Sequence, residues 1–185
     1  AFNIPIFALE GFEADDCVGT LARQAETKGV DTVIVTGDMD TLQLVTPHIK
    51  VFTMRKGIKD TVLYDIAAVE AKYGLKPAQI AEYKGLSGDS SDNIPGVKGI
   101  GEKTATILIT EFGGIEGIYK ALDKKGHEEK FKKAGISERI LTLLKEGKEE
   151  AEFSKMLATI RRDAPIDFTL PEKEFKDGID TEKAT

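Results

Sequence analysis

Seven carboxylates fall in three tight clusters along the chain: Glu13, Asp15 and Asp16; Asp38 and Asp40; Asp89 and Asp92. Two like charges ~4 Å apart repel by about 4 kcal/mol at an effective dielectric near 20, so acids share one cleft only if cations sit among them. Oxygen ligands without His or Cys select Mg²⁺ or Mn²⁺ over zinc. Two such ions ~3.5–4 Å apart clamp a phosphodiester, one activating water and the other stabilising the departing oxygen. His48 and His127 are the only histidines, and neither stands beside a cluster, so no histidine base is expected.

Each cluster also has a plainer reading. Glu13 and Asp16 share a helix face, with Asp15 turned away, and acids at a helix start serve equally as caps favoured by the dipole. Asp38 or Asp40 alone would suffice for an Asx turn. The string Gly88-Asp89-Ser90-Ser91-Asp92-Asn93 reads in isolation as a polar loop. It is the three clusters together that argue for metal.

The third cluster runs directly into the most specific string of the chain, residues 94–105. Gly96, Gly99 and Gly101 let the backbone turn tightly and approach a phosphate, and the helix start that follows offers free amides at a positive dipole end. Lys98 and Lys103 add charge, and Val97 and Thr104 complete the expected nucleic-acid grip. Such contacts position a backbone without reading its sequence. The competing reading is a packing hairpin between two helices.

These groups need elements to hold them. Residues 4–8 are β-compatible, and residues 13–28 read as a helix closed by Gly29, with Leu21, Ala22 and Ala25 on one face. Residues 31–36 form the β-branched run of a parallel strand buried on both faces, ending at Gly37-Asp38, where open α/β sheets bind ligands. A hairpin is expected from residues 49–54 and 61–64 around Lys56-Gly57. From Asp65 onward short helical segments dominate: 66–73, 77–86, 103–111, 114–122 and 137–145. The fold class is therefore α/β, a partial parallel-type sheet with flanking helices followed by a helical region. The division expected is residues 1–80 as metal-site core, 81–170 as helical DNA-binding region, and 171–185 as a polar, poorly ordered tail.

The chain has 185 residues with 41% hydrophobic and 31% charged, ordinary for a packed globular protein. No apolar run approaches the roughly 20 residues of a membrane helix. A net charge of −6 argues weakly against nucleic acid, because local patches and bound cations decide that question. Lys84, Lys98 and Lys103 flank the hairpin, whereas Lys124, Lys125, Lys132 and Lys133 are interleaved with Glu128 and Glu129 and read as a solvated helix face. The lone Cys17 reads as a buried packing residue and fits a reducing, cytoplasmic setting. The start at Ala1, without methionine, is expected of a piece of something longer.

The strings Glu13-Ala14-Asp15-Asp16, Thr36-Gly37-Asp38-Met39-Asp40 and residues 88–105 resemble, in order and spacing, the acidic motifs and helix–hairpin–helix of the 5′-nuclease domain of bacterial DNA polymerase I, related to flap endonucleases. The resemblance spans roughly residues 4–160 and implies a PIN-like core. It implies a two-metal 5′→3′ exonuclease and 5′ flap endonuclease of replication and repair, acting on duplex DNA with a 5′ flap or 5′ end. On this resemblance Glu13, Asp15 and Asp16 serve the first metal, and Asp38, Asp40, Asp89 and Asp92 the second, with Asp16, Asp38 and Asp40 catalytic. The resemblance also implies that the hairpin at Gly96–Gly101 holds the duplex, with K⁺ on loop carbonyls, and that a covalently linked polymerase domain is a partner in the parent protein. Family members also carry an earlier strand, two further aspartates and a basic arch that have no counterpart here.

Two other classes are weighed. Asp38-Met39-Asp40-Thr41 after a strand resembles the nucleophile motif of haloacid-dehalogenase-type phosphatases, with Asp38 attacking and Asp40 as acid, but this leaves the hairpin and Asp89/Asp92 unexplained. A non-catalytic DNA-binding fragment that uses only the helix–hairpin–helix is the other.

Overall fold

Glycines, prolines and short polar caps cut this sequence into brief elements. A computed structural model describes residues 4–54, 60–167, 169 and 170. The turn at Lys56-Gly57 and the tail from Glu172 lie outside the described residues. By internal contacts the chain divides into two units, residues 1–32 with 161–185, and residues 33–160. This differs from a sequential break at residue 80, because the later segment returns to the first helix.

In the first unit, helix α1 (Ala14–Thr27) buries Cys17, Thr20, Ala22 and Ala25. Gly29, at φ 73°, takes the left-handed turn that ends it. The returning segment is tied to α1 by three hydrogen bonds: Gln24 Nε2 donates to Ile166 O at 2.7 Å, Ala164 N–H to Thr20 Oγ1 at 3.1 Å, and Arg161 N–H to Asp16 Oδ1 at 2.8 Å. Residues 4–8 are not a strand. They run without regular structure and are exposed.

The second unit opens on a three-stranded sheet of order β1 (Thr32–Val35), β2 (Ile49–Met54), β3 (Thr61–Tyr64), β1 beginning at the boundary of the two units. Strands β2 and β3 pair antiparallel with Val51 opposite Tyr64. The expectation that the β-branched run is buried on both faces fails: Ile34 is 6% exposed, but Val33 and Val35 are 55% and 65% exposed. One face of β1 is uncovered. After β1 the chain enters a 3-10 turn, Met39–Leu44, whose residues 41–44 are buried.

Helices α2 (Ile66–Tyr73), α3 (Ile80–Ser87), α4 (Glu102–Phe112), α5 (Ile115–Leu122), α6 (His127–Lys133), α7 (Glu138–Glu146) and α8 (Lys148–Ala158) follow. Asp65 caps α2 by accepting Ala68 N–H at 2.9 Å, and Gly74 closes it in the left-handed region. Leu86, Leu108, Ile109, Ile118, Phe131 and Leu144 are fully buried at the centre of this helical core. Phe112 stacks on Phe131 with centroids 4.2 Å apart. Helix α6 does carry a solvated basic face, as expected, but Phe131 also anchors it in the core. Helix α8 was not among the expected helices; it packs Ala151, Ser154 and Ala158 inward and leaves Phe153, Met156 and Leu157 about half exposed or more.

Candidate metal centre

Three carboxylates of the second unit converge on one ammonium. Asp40, Asp89 and Asp92 each place an oxygen within 4.8 Å of the others. Lys84 Nζ is bonded to Asp40 and lies 2.6 Å from Asp89 Oδ2 and 3.4 Å from Asp92 Oδ2. Local structure explains each position. Asp38 accepts Asp40 N–H at 2.9 Å and so caps the 3-10 turn, which aims Asp40 inward while Asp38 stays exposed. Asp89 and Ile94 exchange backbone hydrogen bonds of 2.8 Å, pinching residues 89–94 into a loop in which Asn93 takes a positive φ of 56°. Lys84 comes from the inward face of α3, which also buries Ile80, Ala81 and Leu86.

The sequence places Lys84 only as a flank of the hairpin; it is 9% exposed and held among the acids. The signal was available. A lysine three and four residues after Ala81 and Ile80 lies in core register, and a lysine is rarely buried there without partners.

The charges are strongly coupled. Burial pulls the Lys84 ammonium down, but its bonds to Asp40 and Asp89 outweigh that and hold it above the ordinary lysine value. The same Lys84 bond, then one from Ser91, brings Asp89 down to about 2. Burial pushes Asp40 up, outweighing Lys84, and the like charges of Asp38 and Asp92 act in the same direction. Three carboxylates against one ammonium leave an excess of negative charge, and Asp38 lines the same cleft of about 750 Å³. An all-oxygen donor set with surplus charge fits a hard divalent cation.

In the first unit Glu13 is the cap of α1. Its N–H donates to Asp16 Oδ2 at 3.1 Å. The Asp16 carboxylate thus satisfies an amide at the start of α1, and Asp15 Oδ1 accepts Asp16 N–H at 2.9 Å.

The glycine hairpin is largely as expected, with one change of role. A Cβ on Gly96 would lie 2.2 Å from Gly88 N, and one on Gly88 would lie 2.7 Å from Pro95 O. The two backbones touch, so Gly96 is required by internal packing. Its N–H donates to buried Ser154 Oγ at 2.9 Å. Val97 is 4% exposed and anchors the hairpin in the core, its N–H donating to Leu86 O at 2.8 Å. Lys98, Gly99, Gly101 and Lys103 are exposed, Gly99 at φ 92°, and Gly101 caps α4 without a side chain. The acidic cleft reaches the two ends of this hairpin at Ile94, Pro95 and Glu102.

A three-stranded sheet, an acidic cluster drawn from the 3-10 turn and the loop after α3, and helices that present a glycine hairpin define an α/β-plus-helical architecture. Residues 1–74 match the 5′-3′ exonuclease N-terminal resolvase-like domain, and residues 75–180 match the 5′-3′ exonuclease C-terminal SAM fold. The chain belongs to the 5′-3′ exonuclease family. It is 46% identical over 184 residues to DNA polymerase I of Bacillus caldotenax, covering 99% of this chain and 20% of that protein. It is 43% identical over 176 residues to DNA polymerase I of Bacillus subtilis (strain 168), covering 95% and 19%. The chain thus spans about a fifth of the length of these relatives. In fold it resembles the bacteriophage T5 5′-exonuclease with bound zinc, with a TM-score of 0.69, 23% identity, and coverage of 84% of this chain and 53% of that one. A complex of the bacteriophage T5 flap endonuclease with DNA and metal ions matches with the same TM-score at 22% identity, again over 84% and 53%. The phosphatase reading falls with the family assignment, and Asp38 is occupied in capping the turn that carries Asp40.

Proposed function

We propose that this chain is the 5′→3′ exonuclease and 5′ flap endonuclease portion of a DNA polymerase I-type protein, a polymerase being covalently linked in the whole. Its substrate is duplex DNA with a 5′ flap or 5′ end, met in replication and repair in the cytoplasm. One observation carries the reading: Asp40, Asp89 and Asp92 converge in a cleft that continues to the hairpin and the start of α4.

Asp40, Asp89 and Asp92, with Asp38 beside them, would hold the second of two divalent ions, Mg²⁺ or Mn²⁺, and Glu13, Asp15 and Asp16 would serve the first. Bound there, such ions neutralise phosphate charge and activate water. Lys84 fixes the three carboxylates in one arrangement and supplies a permanent positive charge beside the scissile position. Gly99, Gly101, Lys98, Lys103 and Thr104 hold the phosphate backbone, with K⁺ on the hairpin carbonyls, while Gly96 and Val97 set the hairpin's shape. These contacts ignore base identity, so recognition is of strand geometry. A second reading, a DNA-binding fragment that cuts nothing, is favoured by the hairpin's lying wholly within residues 33–160, as a self-sufficient grip.

The test is cleavage of a 5′-labelled flap duplex in Mg²⁺ against EDTA. EDTA-sensitive flap release, lost in Asp40→Asn, supports the nuclease. Salt-sensitive flap binding without cleavage selects the second reading, and absence of both sinks each of them.

A further inference from the structure

Next to the acidic cleft lies a second cleft, of about 560 Å³, lined by residues of α2, α3 and α4. Tyr73, Tyr83 and Glu102 line both clefts, so the two form one trough with those side chains as the divide. The chemistry reverses along it. On the near side stand Asp38, Asp40, Asp89 and Asp92; on the far side stand Lys72, Lys103, Thr106 and Ile107. Lys72 Nζ lies 5.2 Å from the centroid of the Tyr73 ring and 5.3 Å from that of Tyr64. Tyr73 and Tyr83 are half buried, each packed against the helical core, so little rotamer freedom remains to be lost when a ligand meets them.

Core packing accounts for the buried part of the two tyrosines but does not call for Lys72 and Lys103 around an open trough. A nucleic-acid strand does, since it presents a planar base and an anionic phosphate at every residue, and aromatic faces with neighbouring cations are what non-specific strand binding uses. We propose that this second cleft holds one nucleotide of the strand whose phosphodiester reaches the acidic cluster, its base against Tyr73 and Tyr83 and its phosphate toward Lys72 and Lys103. The inference rests on the nucleic-acid substrate proposed above. Glu102 fixes the polarity: its carboxylate at the divide repels phosphate, which places the phosphate on the lysine side and leaves the base at the divide. Ring faces and ammonium groups read no base edge, so this subsite accepts any base.

The experiment uses the whole chain in EDTA with a set of 5′-flap duplexes, each carrying a single 2-aminopurine at successive positions of the cut strand. Binding is followed by anisotropy and stacking by quenching of the 2-aminopurine. Quenching is expected at one position or two adjacent ones. Tyr73→Leu and Tyr83→Leu are expected to abolish it and to weaken binding at least about fivefold, the lower end of what base–aromatic stacking contributes. Tyr83→Phe, which keeps the ring and the packing, retains the quench. Lys72→Gln is expected to lower affinity on all duplexes and to reduce the salt slope of binding by about one, the signature of a lost phosphate contact. Should the leucine variants fail to fold, the quench position and the Lys72→Gln slope decide. Bound duplex with no quenched position, quenching unchanged in the folded leucine variants, or an unchanged slope in Lys72→Gln overturns the subsite while leaving the substrate reading intact. No binding of any flap duplex at low salt overturns the substrate reading, and this inference with it.

Discussion

Lys84 holds the acidic centre together before any divalent ion arrives. Replacing it by methionine keeps the stem and removes the ammonium, which leaves Asp40, Asp89 and Asp92 facing one another. The loss is expected to be about 3 kcal/mol, the low end for breaking a buried pair because Asp92 is half exposed and still reaches water. Thermal melts should show the variant less stable than the parent without metal, and stabilised more by Mn²⁺, since the ion then restores the missing charge. Equal Mn²⁺ stabilisation in both proteins would remove Lys84 from the centre. At this scale the sequence was half legible. Asp40, Asp89 and Asp92 stood out by their clustering, but Lys84 was masked because lysine is ordinarily a surface residue, and the clue lay in its register on α3. Gly96 has a reason to be glycine that the sequence did not announce: the neighbouring Gly88 backbone needs the room.

Helix α3 and helix α8 cross where neither has bulk. A Cβ on Gly85 would lie 2.7 Å from Ile115 Cδ1 and 2.9 Å from Lys155 Cβ. Gly85→Val is expected to destabilise by about 1–3 kcal/mol through overpacking, read as a lowered urea midpoint. Ser154 on α8 also supports the hairpin by accepting Gly96 N–H. Ser154→Ala leaves that buried amide without a partner and should lose roughly 1–3 kcal/mol, again by urea unfolding. A midpoint unchanged within error would show that the bond contributes nothing. Helix α8 also explains why the sequence hid it. Its inward face is Ala151, Ser154 and Ala158, while its large residues Phe153, Met156 and Leu157 point outward, so apolar periodicity marks the wrong side. The β1 run misled in the same way: β-branched residues suggested a strand covered on both faces, and Val33 and Val35 are open. By contrast α2, with its Asp65 cap and Gly74 stop, was legible because its signals are local.

For the molecule as a whole, sequence order is a poor guide to grouping, since residues 161–167 belong with α1 through hydrogen bonds that no local pattern announces. Global stability should carry one readable alkaline signature. Tyr119 is 7% exposed, donates its hydroxyl to Leu144 O at 2.9 Å, and burial pushes its pKa up from 10.0 to about 12. The folded state therefore binds this proton more tightly than the unfolded chain, so its contribution is complete below pH 10 and is lost as pH rises through 12. Urea midpoints taken between those limits should fall more steeply for the parent than for Tyr119→Phe. Parallel curves would deny Tyr119 that share.

The contact between Gly88 and Gly96 has a further meaning under the proposed nuclease reading. Gly88 leads directly into Asp89, and Gly96 opens the hairpin, so the cutting and gripping loops abut main chain to main chain with no side chain between them. Side chains can swing between rotamers and so lengthen or shorten a gap; two abutting backbones cannot. On that reading the seam would act as a gauge, setting the distance between the gripped strand and the cleaved bond, so that product length would follow from the fold and not from the identity of the nucleotides.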